Sequence, residues 1–78
     1  MNKKGKVNYT GSIKSKLQEY LKVNPVPKYI YMNWDYFDAL AEFAERNDHR
    51  IFAEMEGAGT VYGMKICIDI TEPTCHFK

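Results

Sequence analysis

Between residues 28 and 46 the chain reads KYIYMNWDYFDALAEFAER, and its character changes at one residue, Asn33. Before it, the aromatic and β-branched run KYIYM predicts a strand over residues 28–32. Tyr29 and Tyr31 then lie on one side, Ile30 and Met32 on the other. After it, Trp34, Phe37, Leu40, Ala41 and Ala44 recur at helical spacing on one face, widened by Tyr36 and Phe43. Asn33 is a good N-cap, and Asp35 places a negative charge in the first turn, where the helix dipole favours it. A strand that passes directly into an amphipathic helix excludes all-α and all-β architectures. Trp34, Phe37 and Leu40 are expected to enter the core.

The flanking segments extend this plan. Residues 1–11, MNKKGKVNYTG, lack a sustained period and read as a flexible basic arm, leaving residues 12–78 as a single domain. In SIKSKLQEYLKVN, Ile13, Leu17, Tyr20 and Leu21 share one helical stripe behind a candidate N-cap at Ser12. Pro25 and Pro27 stop that helix. RIFAEME, residues 50–56, alternates Ile51, Ala53 and Met55 against charged neighbours and reads as a half-buried strand, with Phe52 turned outward. GAGTVYG reads as a loop. MKICIDI has the cleanest period of two, with Met64, Ile66, Ile68 and Ile70 inward and Lys65, Cys67 and Asp69 outward. After a turn at TEPT, CHFK forms a closing strand whose Cys75 and Phe77 join the isoleucine face, leaving His76 near Asp69. The fold class expected is α+β: a small mixed or antiparallel sheet of three or four strands packed by one main helix, with an N-terminal helix before it. Strand order is not readable from the pattern.

Size decides what such a domain can do. A chain of 78 residues buries only roughly 60–65% of its unfolded surface, so large side chains carry the core. Six Tyr, four Phe and one Trp supply them. A catalytic cleft would consume core that the domain needs, so no enzyme and no cofactor are expected. Two cysteines make no disulfide framework, no apolar segment follows the N-terminal lysines, and no run approaches the roughly 20 apolar residues of a membrane span. A reduced, cytoplasmic, soluble protein is the expectation.

Charge is unevenly placed. Residues 1–28 hold seven lysines against Glu19, a net of +6, and the rest of the chain nets −5. Asp35, Asp38, Glu42 and Glu45 fall on one face of the predicted second helix. They are a solvated face or a docking surface that steers a basic partner, with Arg46 able to fold back on Glu42. Lys3, Lys4, Lys6, Lys14, Lys16 and Lys22 could contact phosphates, but with no arginine among them such binding would be non-specific and salt-sensitive. Cys67, Cys75, His49 and His76 match no standard zinc spacing, and the strand register sends the two cysteines to opposite faces, so no metal site is expected. The glycine loop has neither phosphate-binding fingerprint and leads into a strand.

From Tyr29 onward, YIYMNWDYFDAL, RIFAEM and VYGMKICIDITEPTCHFK resemble the axial-domain segment of HK97-type phage major capsid proteins. Met32 and Asn33 ending a strand, Trp34 and Leu40 in the helix, Gly63, the strand over 64–70 and Pro73 stand in the matching places. Lys65 replaces the usual proline two residues after the glycine, and the other capsid regions are missing. The resemblance implies a small phage or prophage protein with a capsid-like fold. The function expected is therefore non-enzymatic: binding a host or virion protein and modulating it. Asp35, Asp38, Glu42 and Glu45 and the aromatics Tyr29, Tyr31, Tyr36 and Phe52 are the expected contact residues. A nucleic-acid-associated protein using the lysine segment, and a self-assembling minor structural subunit, are the alternatives; a monomer or small homo-oligomer fits either.

Overall fold

A computed structural model describes residues 7–78. The elements are α1 (Tyr9–Leu21), β1 (Tyr29–Met32), α2 (Trp34–Asn47), α3 (His49–Ala58), β2 (Thr60–Val61), β3 (Met64–Ile68) and β4 (Cys75–Phe77). The fold is α+β with a mixed four-stranded sheet in the order β2-β3-β1-β4. β1 runs parallel to β3, while the β1–β4 and β2–β3 pairs are antiparallel.

The first helix begins earlier than Ser12. Asn8 caps it, accepting the Gly11 N–H at 2.9 Å, so Tyr9, Thr10 and Gly11 belong to α1 rather than to an arm. Gly11 is the residue that makes room: a Cβ there would come within 2.7 Å of the Asn8 amide. Lys3, Lys4 and Lys6 lie outside the described residues.

The larger correction is at residues 50–56, which form helix α3 and not a strand. Ile51 and Met55 are one helical turn apart and both buried, and Phe52 beside them packs on the core instead of facing outward. Asp48 sets both boundaries. Its N–H donates to the Ala44 carbonyl at 2.8 Å to close α2, and its carboxylate accepts the Ile51 N–H at 3.3 Å to open α3. At the other end Gly59 takes a left-handed conformation, φ 68°, and donates to the Met55 carbonyl at 3.1 Å. The GAGTVYG segment is thus a helix end followed by a β2–β3 hairpin that turns at Tyr62 and Gly63.

Ile13, Ile30, Met32, Leu40, Ala44, Ile51, Met55, Val61, Met64 and Cys75 form one buried cluster. It draws on all three helices, so the sheet is covered by three helices and not by one. Each fully buried Ile, Leu or Met there contributes about 1.5–3 kcal/mol. Of the residues expected inward, Phe37, Ile66, Ile68 and Phe77 are partly buried against it, while Ala53, Trp34 and Ile70 are exposed. Trp34 is 56% exposed and Ile70, in the turn after β3, is 79% exposed.

Candidate functional site

All three helices pack on the same face of the sheet. On that face, Tyr20 of α1 meets Phe77 of β4 edge-on at 5.3 Å, and the Tyr36 hydroxyl of α2 lies 3.9 Å from Cys75 Sγ. Ile51 and Met55 of α3 join Val61 and Met64 in the buried cluster. The β1 register makes Ile30 and Met32 share this side with Ile66, Ile68, Cys75 and Phe77. Alternation then turns Tyr29, Tyr31, Lys65, Cys67, His76 and Lys78 to the opposite side. Of these, the apolar Tyr29, Tyr31 and Cys67 neither belong to the core cluster nor pack against it. Among the described residues no helix covers this second face.

Its side chains are arranged in rows across the strands. Lys65 and Tyr29 are register partners, and the Lys78 N–H donates to the Tyr29 carbonyl at 2.9 Å. In the next row Cys67, Tyr31 and His76 lie side by side. The Tyr31 and His76 rings stack at 5.0 Å with planes 3° apart, and Lys78 Nζ sits 5.5 Å from the Tyr31 ring centre. The third row carries the acids. Asp69 is held below the ordinary carboxylate range, first by the Thr71 hydroxyl and backbone N–H that donate to it, then by the charges of His76 and Lys78. Glu72 pairs with His76. Loss of solvent raises the Tyr31 phenol above its ordinary value, with the neighbouring Cys67 thiol and Tyr29 adding to the shift.

At the end where β1 and β3 run out, the surface becomes apolar. Trp34, Ile70, Asn33 and Asp35 line a shallow depression of about 220 Å³. The indole is braced from behind by Phe37, edge to face at 5.8 Å. Asn33 anchors the corner by accepting the Tyr36 N–H at 2.7 Å and donating its amide to the Glu72 carbonyl.

The expected contact residues fall into three groups. Tyr29 and Tyr31 stand together on the open face, 6.5 Å apart. Tyr36 and Phe52 do not reach it: Tyr36 turns into the helical side, edge-on to Tyr9 at 5.3 Å, where burial and then the Cys75 thiol raise its phenol well above the ordinary value. Asp35, Asp38, Glu42 and Glu45 are exposed along α2, with Asp35 at the Trp34 depression, and Arg46 does fold back on Glu42 at 3.4 Å. Of the lysines, Lys22 pairs with Glu19 at 3.1 Å and Lys16 reaches Thr74 at 3.4 Å, while Lys14 is exposed. Trp34 and Ile70, assigned by the sequence pattern to the core and the inward face, are exposed here instead, and the pattern did not gather Lys65, His76 and Lys78 with the tyrosines. The outward set Lys65, Cys67 and Asp69 was the signal for that grouping.

Cys67 and Cys75 do point to opposite faces, and Cys75 is buried. Among the described residues no three metal-binding side chains gather, and no helix is long and apolar enough to cross a membrane. Compared with known proteins, the chain matches no family model, no curated protein and no solved structure. The arrangement offers aromatic edges, hydroxyls and amines on a firm sheet, with an exposed indole at one end. Those are groups that bind.

Proposed function

We propose that this is a non-catalytic interaction protein that binds another protein through the Trp34–Ile70 end of the domain. The observation that carries this reading is the exposure of Trp34, the only tryptophan, at 56% beside Ile70 at 79%. A chain this small needs its apolar area inside, and full burial of one large apolar side chain contributes about 1.5–3 kcal/mol. Tryptophan is among the residue types enriched at binding hot spots, and this one stands exposed at a helix start, braced by Phe37. Asp35 and Asp38 stand beside it on α2, so a partner with a basic rim around an apolar pocket fits best. What supports a phage origin, and a host or virion protein as the partner, is the capsid-like resemblance of residues 29–78.

Trp34 also provides the test. Immobilised protein is used to capture a partner from bacterial lysate, and the captured chain is purified and titrated against the free protein. Emission from Trp34 should shift to the blue as the indole loses water. Trp34→Ala and Ile70→Ala should each weaken capture by tenfold or more while the far-ultraviolet circular dichroism stays unchanged. Equal capture by both variants overturns the proposal. Retention on a DNA or heparin column that vanishes at moderate salt would instead favour the lysine segment.

A further inference from the structure

We infer that the open face of the sheet is the docking surface for a second copy of this chain, set against the first with its strands antiparallel. This inference uses a surface other than the Trp34–Ile70 end and does not depend on the partner proposed there. The face carries its charge as a gradient along the strands. Lys65 lies at one end of β3 and Asp69 just past the other, with Cys67 between them and Tyr31 alongside. Glu72 lies at the same end as Asp69. A face with opposite charges at its two ends is complementary to itself. A two-fold axis lying between the faces and crossing the strands along the Cys67–Tyr31–His76 row sets β3 over β3 of the second copy. Lys65 then meets Asp69 of the second copy, and Asp69 meets its Lys65. Tyr31 meets Tyr31 at the axis. Two sheets packed in this way keep their strands nearly aligned, as stacked sheets do.

The ring geometry argues against a nucleic-acid strand on the same face. A base needs the flat side of an aromatic ring. One side of Tyr31 is already taken by His76, in a parallel stack at 5.0 Å, and Lys78 Nζ stands 5.5 Å from its centre. What the pair presents is ring edge and hydroxyl, which suit a protein surface. The size of the face sets the strength. Four strands about 4.8 Å apart and about 13 Å from Lys65 to Asp69 give a footprint of about 250 Å². A stable complex covers about 800 Å² on each partner, so the dimer is a weak one.

Sedimentation equilibrium of the full chain from about 10 μM to about 1 mM tests this. The wild-type mass should climb toward twice the monomer mass across that range, and less steeply at high salt. Lys65→Glu and Asp69→Lys should each weaken association at least tenfold, because each places like charges together twice. An equimolar mixture of the two should form a 1:1 heterodimer, since both contacts are then attractive. Asp69 also holds the Thr71 turn, so Tyr31→Arg provides an independent block, setting two cations at the axis. A monomer at 1 mM overturns the inference, and so does a dimer that survives both Lys65→Glu and Tyr31→Arg. A monomer that binds an oligothymidine probe and loses it on Lys65→Glu also overturns it, assigning the face to single strands instead.

Discussion

The Asn33 side chain donates to the backbone carbonyl of Glu72, 39 residues further along the chain, while the same side chain caps α2. One amide thereby joins the start of α2, the end of β1 and the turn before β4. The two roles separate by substitution. Asn33→Asp keeps an acceptor for the Tyr36 N–H, and its charge suits the helix start, but it loses the donor to Glu72. Asn33→Ala loses both. Urea unfolding should rank them wild type, Asp, Ala, with losses of about 1 kcal/mol for Asp and about 2 kcal/mol for Ala. An Asp variant as stable as wild type would show that the link to Glu72 contributes nothing.

Ala53 is exposed in the middle of α3 and separates helix from strand at this segment. On an exposed helical position, Gly costs about 1 kcal/mol relative to Ala and Val roughly half that. In a strand, Val would be neutral or favourable. Ala53→Gly and Ala53→Val should both destabilise, in that order. A stabilised Ala53→Val contradicts the helix.

Why that segment misleads is physical. Ile51, Ala53 and Met55 satisfy a period of two, but Ile51 and Met55 also satisfy a helical turn, and over seven residues the two periods cannot be separated. The deciding signals lay outside the apolar pattern, in Asp48 as cap and Gly59 as left-handed stop. Around Asn33 the pattern sufficed, because strand chemistry, cap and a long helical stripe all agreed. Alternation likewise placed Tyr29 and Tyr31 together. That their side of the sheet is open follows only from three helices packing on the other, which no local pattern states. Trp34 lies on the apolar stripe of α2 yet is exposed at its first residue, a difference that a helical wheel, with no coordinate along the axis, does not register.

The β2–β3 hairpin turns on Tyr62, φ 51°, and Gly63, φ 81°. Two positive φ values suit Asn-Gly, so a tyrosine at the first position is strained. Its hydroxyl explains the choice, donating to the Thr10 carbonyl of α1 at 3.0 Å. Tyr62→Asn gains turn propensity but loses that bond and the partly buried ring, so it should destabilise by about 1 kcal/mol net. Tyr62→Phe should cost about 0.5–1.5 kcal/mol. Gly63→Ala should cost about 1–2 kcal/mol through the left-handed backbone alone. Chemical denaturation of the three variants checks the ranking; a Tyr62→Asn protein more stable than wild type would remove the tie to α1.

Tyr36 makes the fold sensitive to alkali. Its phenol is raised above the ordinary value of 10.0, first by burial and then by the Cys75 thiol beside it and by Tyr9. In the unfolded chain the phenol ionises near 10, whereas in the folded protein it stays protonated to higher pH. The unfolded state therefore binds fewer protons above pH 10, and linkage makes stability fall as pH rises. Below about pH 10 the contribution is fully present; it is lost between the unfolded and the folded value. Tyr36→Phe removes this titration but keeps the ring packed on Tyr9. Urea unfolding between about pH 9 and 11 should give a shallower decline for Tyr36→Phe than for wild type. A residual slope should persist, because burial and the charges of Asp48 and Glu54 also raise Tyr62. Identical slopes for the two proteins would mean that Tyr36 ionises in the folded state as freely as in the unfolded chain.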